Sequence, residues 1–305
     1  MLLGSDHVLV RVPATSANLG PGFDALGLAL ALHDEVEVRA LASGEVVVEV
    51  EGEGAGEVPT DASHLVARAL RIGLDHVGAP QTGLHLRCRN VIPHGRGLGS
   101  SAAAAVAGLV AARGLLGDPS ALDDDTVLML ATEIEGHPDN AAPAVLGGAT
   151  VAWQGDEGPR AARLVVHPDV VATVLVPATR LATARARGVL PAQVPHRDAA
   201  VNAGRAALLV EALGRRPDLL LDATHDLLHQ DYRADVMPAT ARIVGALRAR
   251  GVAAVVSGAG PTALVLADRA DLARVDAVLS DVVDTARWRV LRPGLDLDGA
   301  SVVRC

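Results

Sequence analysis

The chain has 305 residues, half of them apolar, which allows two domains or one large one with a well-buried core. All 27 basic residues are arginine, and the missing lysine excludes a Walker A loop, a protein-kinase strand lysine and Schiff-base or pyridoxal chemistry. A net charge of −9 with one Phe, one Tyr and two Trp argues against nucleic acid as a partner. Two cysteines give neither a disulfide framework nor metal-ligand spacing, and neither a leader pattern nor a long uncharged apolar run is present, so a cytoplasmic protein without a membrane partner is expected.

Val8–Val12 reads as a strand stopped by Pro13, and residues 35–39 and 45–51 alternate as half-buried antiparallel strands do. The spacing predicts a helix over 63–76, a strand over 83–89 ended by Pro93, and an alanine-rich helix over 100–116. Asp123-Asp124-Asp125 opens a further helix to Glu135; carboxylates suit a helix N-terminus, so the run reads as a cap rather than a cation site. Residues 154–159, Gly- and Pro-containing and polar, form the best linker candidate. Beyond it come strands at 163–166 and 171–176 and helices at 198–213, 217–228 and 238–250. Strands at 252–256 and 262–266, a helix at 271–279 and a strand at 287–291 close the pattern. Helices and strands mixed without strict alternation indicate an α+β class.

The stretch Pro93-His94-Gly95-Arg96-Gly97-Leu98-Gly99-Ser100-Ser101-Ala102-Ala103 carries the strongest chemical signal. Three glycines in five residues permit unusual backbone conformations directly before a helix, so free N–H groups and the helix dipole converge as an anion site. Charge-assisted bonds of ~1.5–3 kcal/mol each could hold a phosphate without lysine. The loop is not a dinucleotide fingerprint, because Ser100 stands where Gly or Ala is needed, nor a serine-nucleophile elbow, because Ala103 stands where Gly is needed.

The pattern resembles the phosphate loop of the GHMP small-molecule kinases. Two more segments carry the resemblance, in order. Pro13-Ala14-Thr15-Ser16-Ala17-Asn18-Leu19-Gly20-Pro21-Gly22-Phe23-Asp24 is similar to the superfamily's first motif in the form found in homoserine kinases. Ser257-Gly258-Ala259-Gly260-Pro261-Thr262 is similar to its third, a glycine turn. The resemblance implies a two-domain fold with mixed sheets and helices and the active site in the cleft between them. An N-terminal domain over 1–157 would carry the loop at 93–103, and a C-terminal domain would span 158–305.

It further implies ATP and Mg²⁺, with L-homoserine as substrate, in threonine synthesis; a homodimer is one assembly it allows. Residues 93–103 would hold the nucleotide, and Ser101 and Glu135 the metal, with Glu133 the second candidate carboxylate. Asn18, Asp24, His137, Thr183, Arg187 and Arg233 would contact the amino acid, two arginines gripping its carboxylate. Asp139 and Asn140 would lie at the attacking hydroxyl. The family often has Asn where this chain has His64, so no adenine-reading residue is assigned. Two alternatives remain: another kinase of the superfamily, acting on an isoprenoid precursor or sugar, and a nucleotide-binding regulator without turnover.

Overall fold

A computed structural model describes residues 2–305. Strand β1 (His7–Ala17) pairs antiparallel with the long β2 (Leu26–Leu41), which in turn pairs with β4 (Gly83–Asn90). Pro13 does not end β1. The register shifts between Pro13 and Ala14, and at such an irregularity a residue without an N–H costs no ladder bond. β3 (Val46–Gly52) lies beyond β4 and runs parallel to it, not antiparallel as its alternation suggested. A parallel pair needs a crossover, supplied here by α1 (Leu65–His76).

The first sheet is completed by the hairpin β5 (Ala149–Gly155) and β6 (Gly158–Leu164) and, from the far end of the chain, by β11 (Ser301–Arg304) along the free edge of β1. The linker-like stretch 154–159 is therefore the tip of a hairpin, its polar and Gly composition serving a two-residue turn.

α2 (Ser100–Leu115) runs through the middle of this half, packed on β1 with α1 and α3 (Asp124–Glu135) alongside. Twelve of its sixteen residues are buried, all of them Ala, Val, Leu or Gly, so the helix is apolar on nearly all sides as a central helix must be. α3 begins as the acidic run suggested: Asp123 accepts a hydrogen bond from Thr126 N at 2.8 Å. The short α4 (Ala141–Leu146) follows.

The second sheet has the order β10–β7–β9–β8, from β7 (Val170–Pro177), β8 (Ala253–Val256), β9 (Ala263–Asp268) and β10 (Trp288–Leu291), all antiparallel. β7 is buried along its whole length, matching its continuous apolar run. α8 (Pro238–Arg248) and α9 (Leu272–Val282) cover one face. Leu209 and Leu213 of α6 (His196–Gly214) join the main core from the other side. The helix expected over 217–228 shrinks to the single turn α7 (Leu220–Ala223), which in chain order follows α5 (Thr183–Gly188) and α6. Asp226 explains this, because its carboxylate accepts from the backbone amides of Leu228, His229 and Gln230, and that local cap replaces helical bonding.

Gly108 sits where α2 crosses α1, and a Cβ there would strike the Val66 carbonyl oxygen and the Ala69 side chain. Gly108→Ala gains helix propensity of about 1 kcal/mol yet should lower the unfolding free energy by about 1–3 kcal/mol through overpacking, measured by urea denaturation.

Candidate active site

Three segments far apart in the chain meet at one hydroxyl. Ser257 Oγ donates to Gly97 O at 2.6 Å and lies 2.8 Å from Ser16 Oγ. Gly95, Gly97 and Gly99 all have positive φ (63°, 77° and 68°), the region that L side chains rarely adopt. At Gly97 a Cβ would fall on the Ser257 carbonyl, and at Gly99 on the Thr15 hydroxyl, so both positions require glycine twice over. Gly99 stands at the N-cap of α2 with no side-chain cap, and the first N–H groups of that helix are left for an acceptor from outside.

Ser100 and Ser101 border two cavities. One, of about 150 Å³, is polar and lined by Asn18, Glu135, His137, Asp139, Asn140, Thr183, Arg187 and Arg233, together with the three loop glycines. The other, of about 290 Å³, is mostly apolar and lined by Val12, Val36, Val58, Pro59, Leu65 and Val66, with Asp34, His64 and His94 among the polar groups on its wall. An elongated ligand with a polar reacting end and a flat apolar end fits across the α2 N-terminus.

Glu135 accepts from Ser101 Oγ at 2.6 Å, and burial raises its pKa while that bond opposes the rise. A hydroxyl and a carboxylate this close are a hard-oxygen pair suited to Mg²⁺, which keeps several waters and needs few protein ligands. Among the described residues no cluster of three or more His, Cys, Asp or Glu forms a preassembled metal cage, so phosphate oxygens and water would complete the shell. Glu133, two positions earlier on α3, is exposed and lines neither cavity.

Asp139 is buried, and its carboxylate accepts from His137 Nδ1 at 2.7 Å, an interaction that raises the pKa of His137. Asn140 Oδ1 accepts from Thr15 Oγ1 at 2.9 Å, a partner that the sequence did not single out. Asn18 has positive φ; its Nδ2 donates to Gly258 O and its Oδ1 accepts from Asp24 N, both at 2.9 Å. It fastens the first motif to the third. Asp24, outside the cavity lining, takes both Arg187 nitrogens in a bidentate pair at 2.7 and 3.0 Å.

Arg233 is bonded differently. At 1% exposure it donates to the Ala186 and Gly258 carbonyls and to His229 Nδ1, all neutral acceptors. It has no carboxylate ion-pair partner among the described residues, and burial followed by repulsion from Arg187 lowers its pKa. Both guanidiniums lie over the ring of Phe23, the only Phe of the chain, at 5.5 and 5.8 Å.

Not all of 93–103 faces these two cavities. Pro93 and Arg96 lie on the opposite side, the Arg96 guanidinium donating to the Pro177, Ala178 and His94 carbonyls, so it ties the loop to the second sheet. Leu98 and Ala102 are buried in the interior, while Ala103 borders the apolar cavity. Gly258, Ala259 and Leu181 also line the polar cavity. Gly258 and Ala259 were legible as part of a glycine turn, whereas Leu181 had no signal.

Comparison with known proteins bears on this site. Residues 64–148 match the family model of the GHMP kinases N terminal domain and residues 200–285 that of the GHMP kinases C terminal. The homoserine kinase of Streptomyces avermitilis is 54% identical over 97% of this chain and 95% of its own. That of Streptomyces coelicolor is 53% identical over 97% and 94%. A crystal structure of homoserine kinase from Cytophaga hutchinsonii superposes with a TM-score of 0.86 at 27% identity, covering 98% of both chains.

Asp34, on the wall of the apolar cavity, accepts from Val91 N and Ile92 N at 2.6 and 2.9 Å, and burial pushes its pKa from 3.8 up to about 6. The folded chain thus holds this proton more tightly than the unfolded chain. That contribution to stability is full below the unfolded pKa and is lost as the pH rises through the folded one. Asp34→Asn keeps an oxygen for both amides and removes the titration. Between about pH 4 and 7 the wild type should lose roughly 3 kcal/mol relative to the variant, read from urea unfolding at a series of pH values.

Proposed function

The chain belongs to the homoserine kinases of the GHMP kinase family, and on that premise we propose that it transfers the γ-phosphoryl group of ATP to the side-chain hydroxyl of L-homoserine. The products are ADP and O-phospho-L-homoserine, a step of threonine synthesis. The observation that carries the substrate assignment is the pair of arginines around Phe23. Arg187 is closed by Asp24, while Arg233 keeps a buried positive charge without an anion. Together with Asp24 the three groups sum to one positive charge, which a ligand bearing an α-carboxylate would neutralise at Arg233. A buried charge without a partner is costly, so a carboxylate-bearing ligand is the species that relieves it.

Phosphoryl transfer asks mainly for positioning and charge neutralisation. The uncapped N-terminus of α2 and the glycine loop supply donors for the phosphates, and the apolar cavity beside them suits the base of the nucleotide. Ser101 and Glu135 would hold Mg²⁺, which supplies charge neutralisation on the phosphates when bound. The amino acid's hydroxyl oxygen attacks phosphorus, the bond to the bridging oxygen of ADP breaks, and the hydroxyl proton departs. Asp139, buried beside His137, is the group placed to receive that proton, and Asn140, fixed by Thr15, orients the hydroxyl. Asn18 holds the loop that presents Asp24, while His137 and Thr183 border the substrate. The two-domain division belongs to the same reading, drawn beyond the β5–β6 hairpin rather than at 157/158 and with β11 counted in the first half, and it sets the cleft between the sheets.

A kinase acting on a sugar would have no use for Arg233, and a regulator without turnover would have none for the Ser101–Glu135 pair; a kinase acting on mevalonate, which also carries a carboxylate, is separated by the substrate panel. ADP release measured against L-homoserine, homoserine amide, mevalonate and galactose tests the assignment. Homoserine should turn over and the other three poorly; preference for the amide, mevalonate or galactose, or no turnover at all, would reject it. Glu135→Gln should stay folded and lower kcat with homoserine by more than ~10²-fold at saturating Mg²⁺. Near-normal turnover in that variant would remove Glu135 from the metal site.

A further inference from the structure

The most exacting question about Arg233 is what keeps its charge available. A buried guanidinium needs acceptors, and a carboxylate is the commonest one; among the described residues none is supplied. The side chain nearest its NH1 is His229, fully buried, whose Nδ1 lies 3.0 Å away. The other ring nitrogen, Nε2, lies 2.9 Å from Gly20 O, a group that only accepts. Nε2 therefore carries the hydrogen, and Nδ1 has its lone pair free for Arg233. The ring is fixed in that orientation by stacking on Phe23 at 5.1 Å between centroids. Asp226, 3.6 Å from Nε2, is spent on the backbone amides of its own turn. Burial, together with the positive charge of Arg233, opposes protonation of the ring, while Asp226, Gly20 O and the more distant Asp24 favour it, and the balance falls on the neutral side.

We propose that His229 is a positioning residue for substrate recognition: as a neutral Nε2–H tautomer it aims Arg233 into the polar cavity without neutralising it. A carboxylate at position 229 would close Arg233 into an ion pair as Asp24 closes Arg187, and the incoming substrate carboxylate would have to compete with it. An apolar residue would leave NH1 short of an acceptor and free to turn. The inference deepens the assignment of a carboxylate-bearing substrate and rests on it.

The test compares wild type, His229→Phe and His229→Asn by steady-state kinetics and by calorimetric titration with L-homoserine and ATP. Phe keeps a ring against Phe23 and removes the acceptor, whereas Asn gives up the ring and keeps an acceptor near the Nδ1 position. In His229→Phe the KM for homoserine should rise about 10- to 100-fold, with kcat and the KM for ATP changed by less than about threefold, and His229→Asn should recover most of that loss. Unchanged homoserine KM in the Phe variant, or parallel losses for homoserine and ATP, would overturn the proposal while leaving the substrate assignment intact. A wild type that neither binds nor phosphorylates homoserine would take down both. Should His229→Phe fail to fold, the two-bond ¹H–¹⁵N spectrum of the wild-type imidazole decides. Protonated Nε2 with bare Nδ1 is expected, and a protonated Nδ1 cannot accept from Arg233 and overturns the assignment.

Discussion

The meeting of Ser257 with Gly97 and Ser16 is the contact on which the rest of the site depends. It joins a strand end of the first sheet, the loop before α2 and the turn after β8. Asn18 repeats the joint on the other side of the same turn through Gly258. Two short polar side chains therefore set the separation between the two sheets at the cleft. The strain shows in the backbone, where Asn18, Leu19 and Asp24 all sit at positive φ. Such conformations cost of order 1–3 kcal/mol each and persist only where the surroundings dictate them.

Electrostatic economy follows from the absence of lysine. Arginine's planar fork cannot shed its proton, so this chain controls its charges by choice of acceptor rather than by titration. Arg187 faces a carboxylate, Arg96 faces carbonyls that bind the halves together with Glu53 alongside at 3.7 Å, and Arg233 faces carbonyls and an imidazole. The same residue type serves as an ion pair, a strut and an open receptor.

The parts of the site legible in the sequence were those made by local backbone. The glycine loop, the third-motif turn and the Asp123 cap each announce themselves because few residues tolerate those conformations. Side-chain direction was not legible. Arg96 reads as a phosphate ligand beside three glycines, yet its guanidinium turns to the Pro177 and Ala178 carbonyls. Thr15 and Phe23 sit inside the first motif and His229 four residues before Arg233, yet the sequence assigns none of them a role of its own, because their importance lies in partners more than a hundred residues away or on another element. The fold shows the same division. α1, α2, α3, α8 and α9 and most strands follow their periodicity. The parallel setting of β3 depends on its neighbour rather than on its own alternation. β5 and β11 were missed outright, being short and ordinary in composition.

The closing of β11 onto β1 has a consequence for how the molecule is made. Residues 301–304 supply the outer edge of a sheet whose second-to-edge strand begins at His7, and Arg304 reaches across to the Gly114 carbonyl at the end of α2. On the ribosome nearly three hundred residues are synthesised between these partners, so the free edge of β1 stays open until residues 301–304 have emerged. An exposed strand edge invites pairing with another chain, and the nascent protein carries that hazard until residues 301–304 are available to cover it.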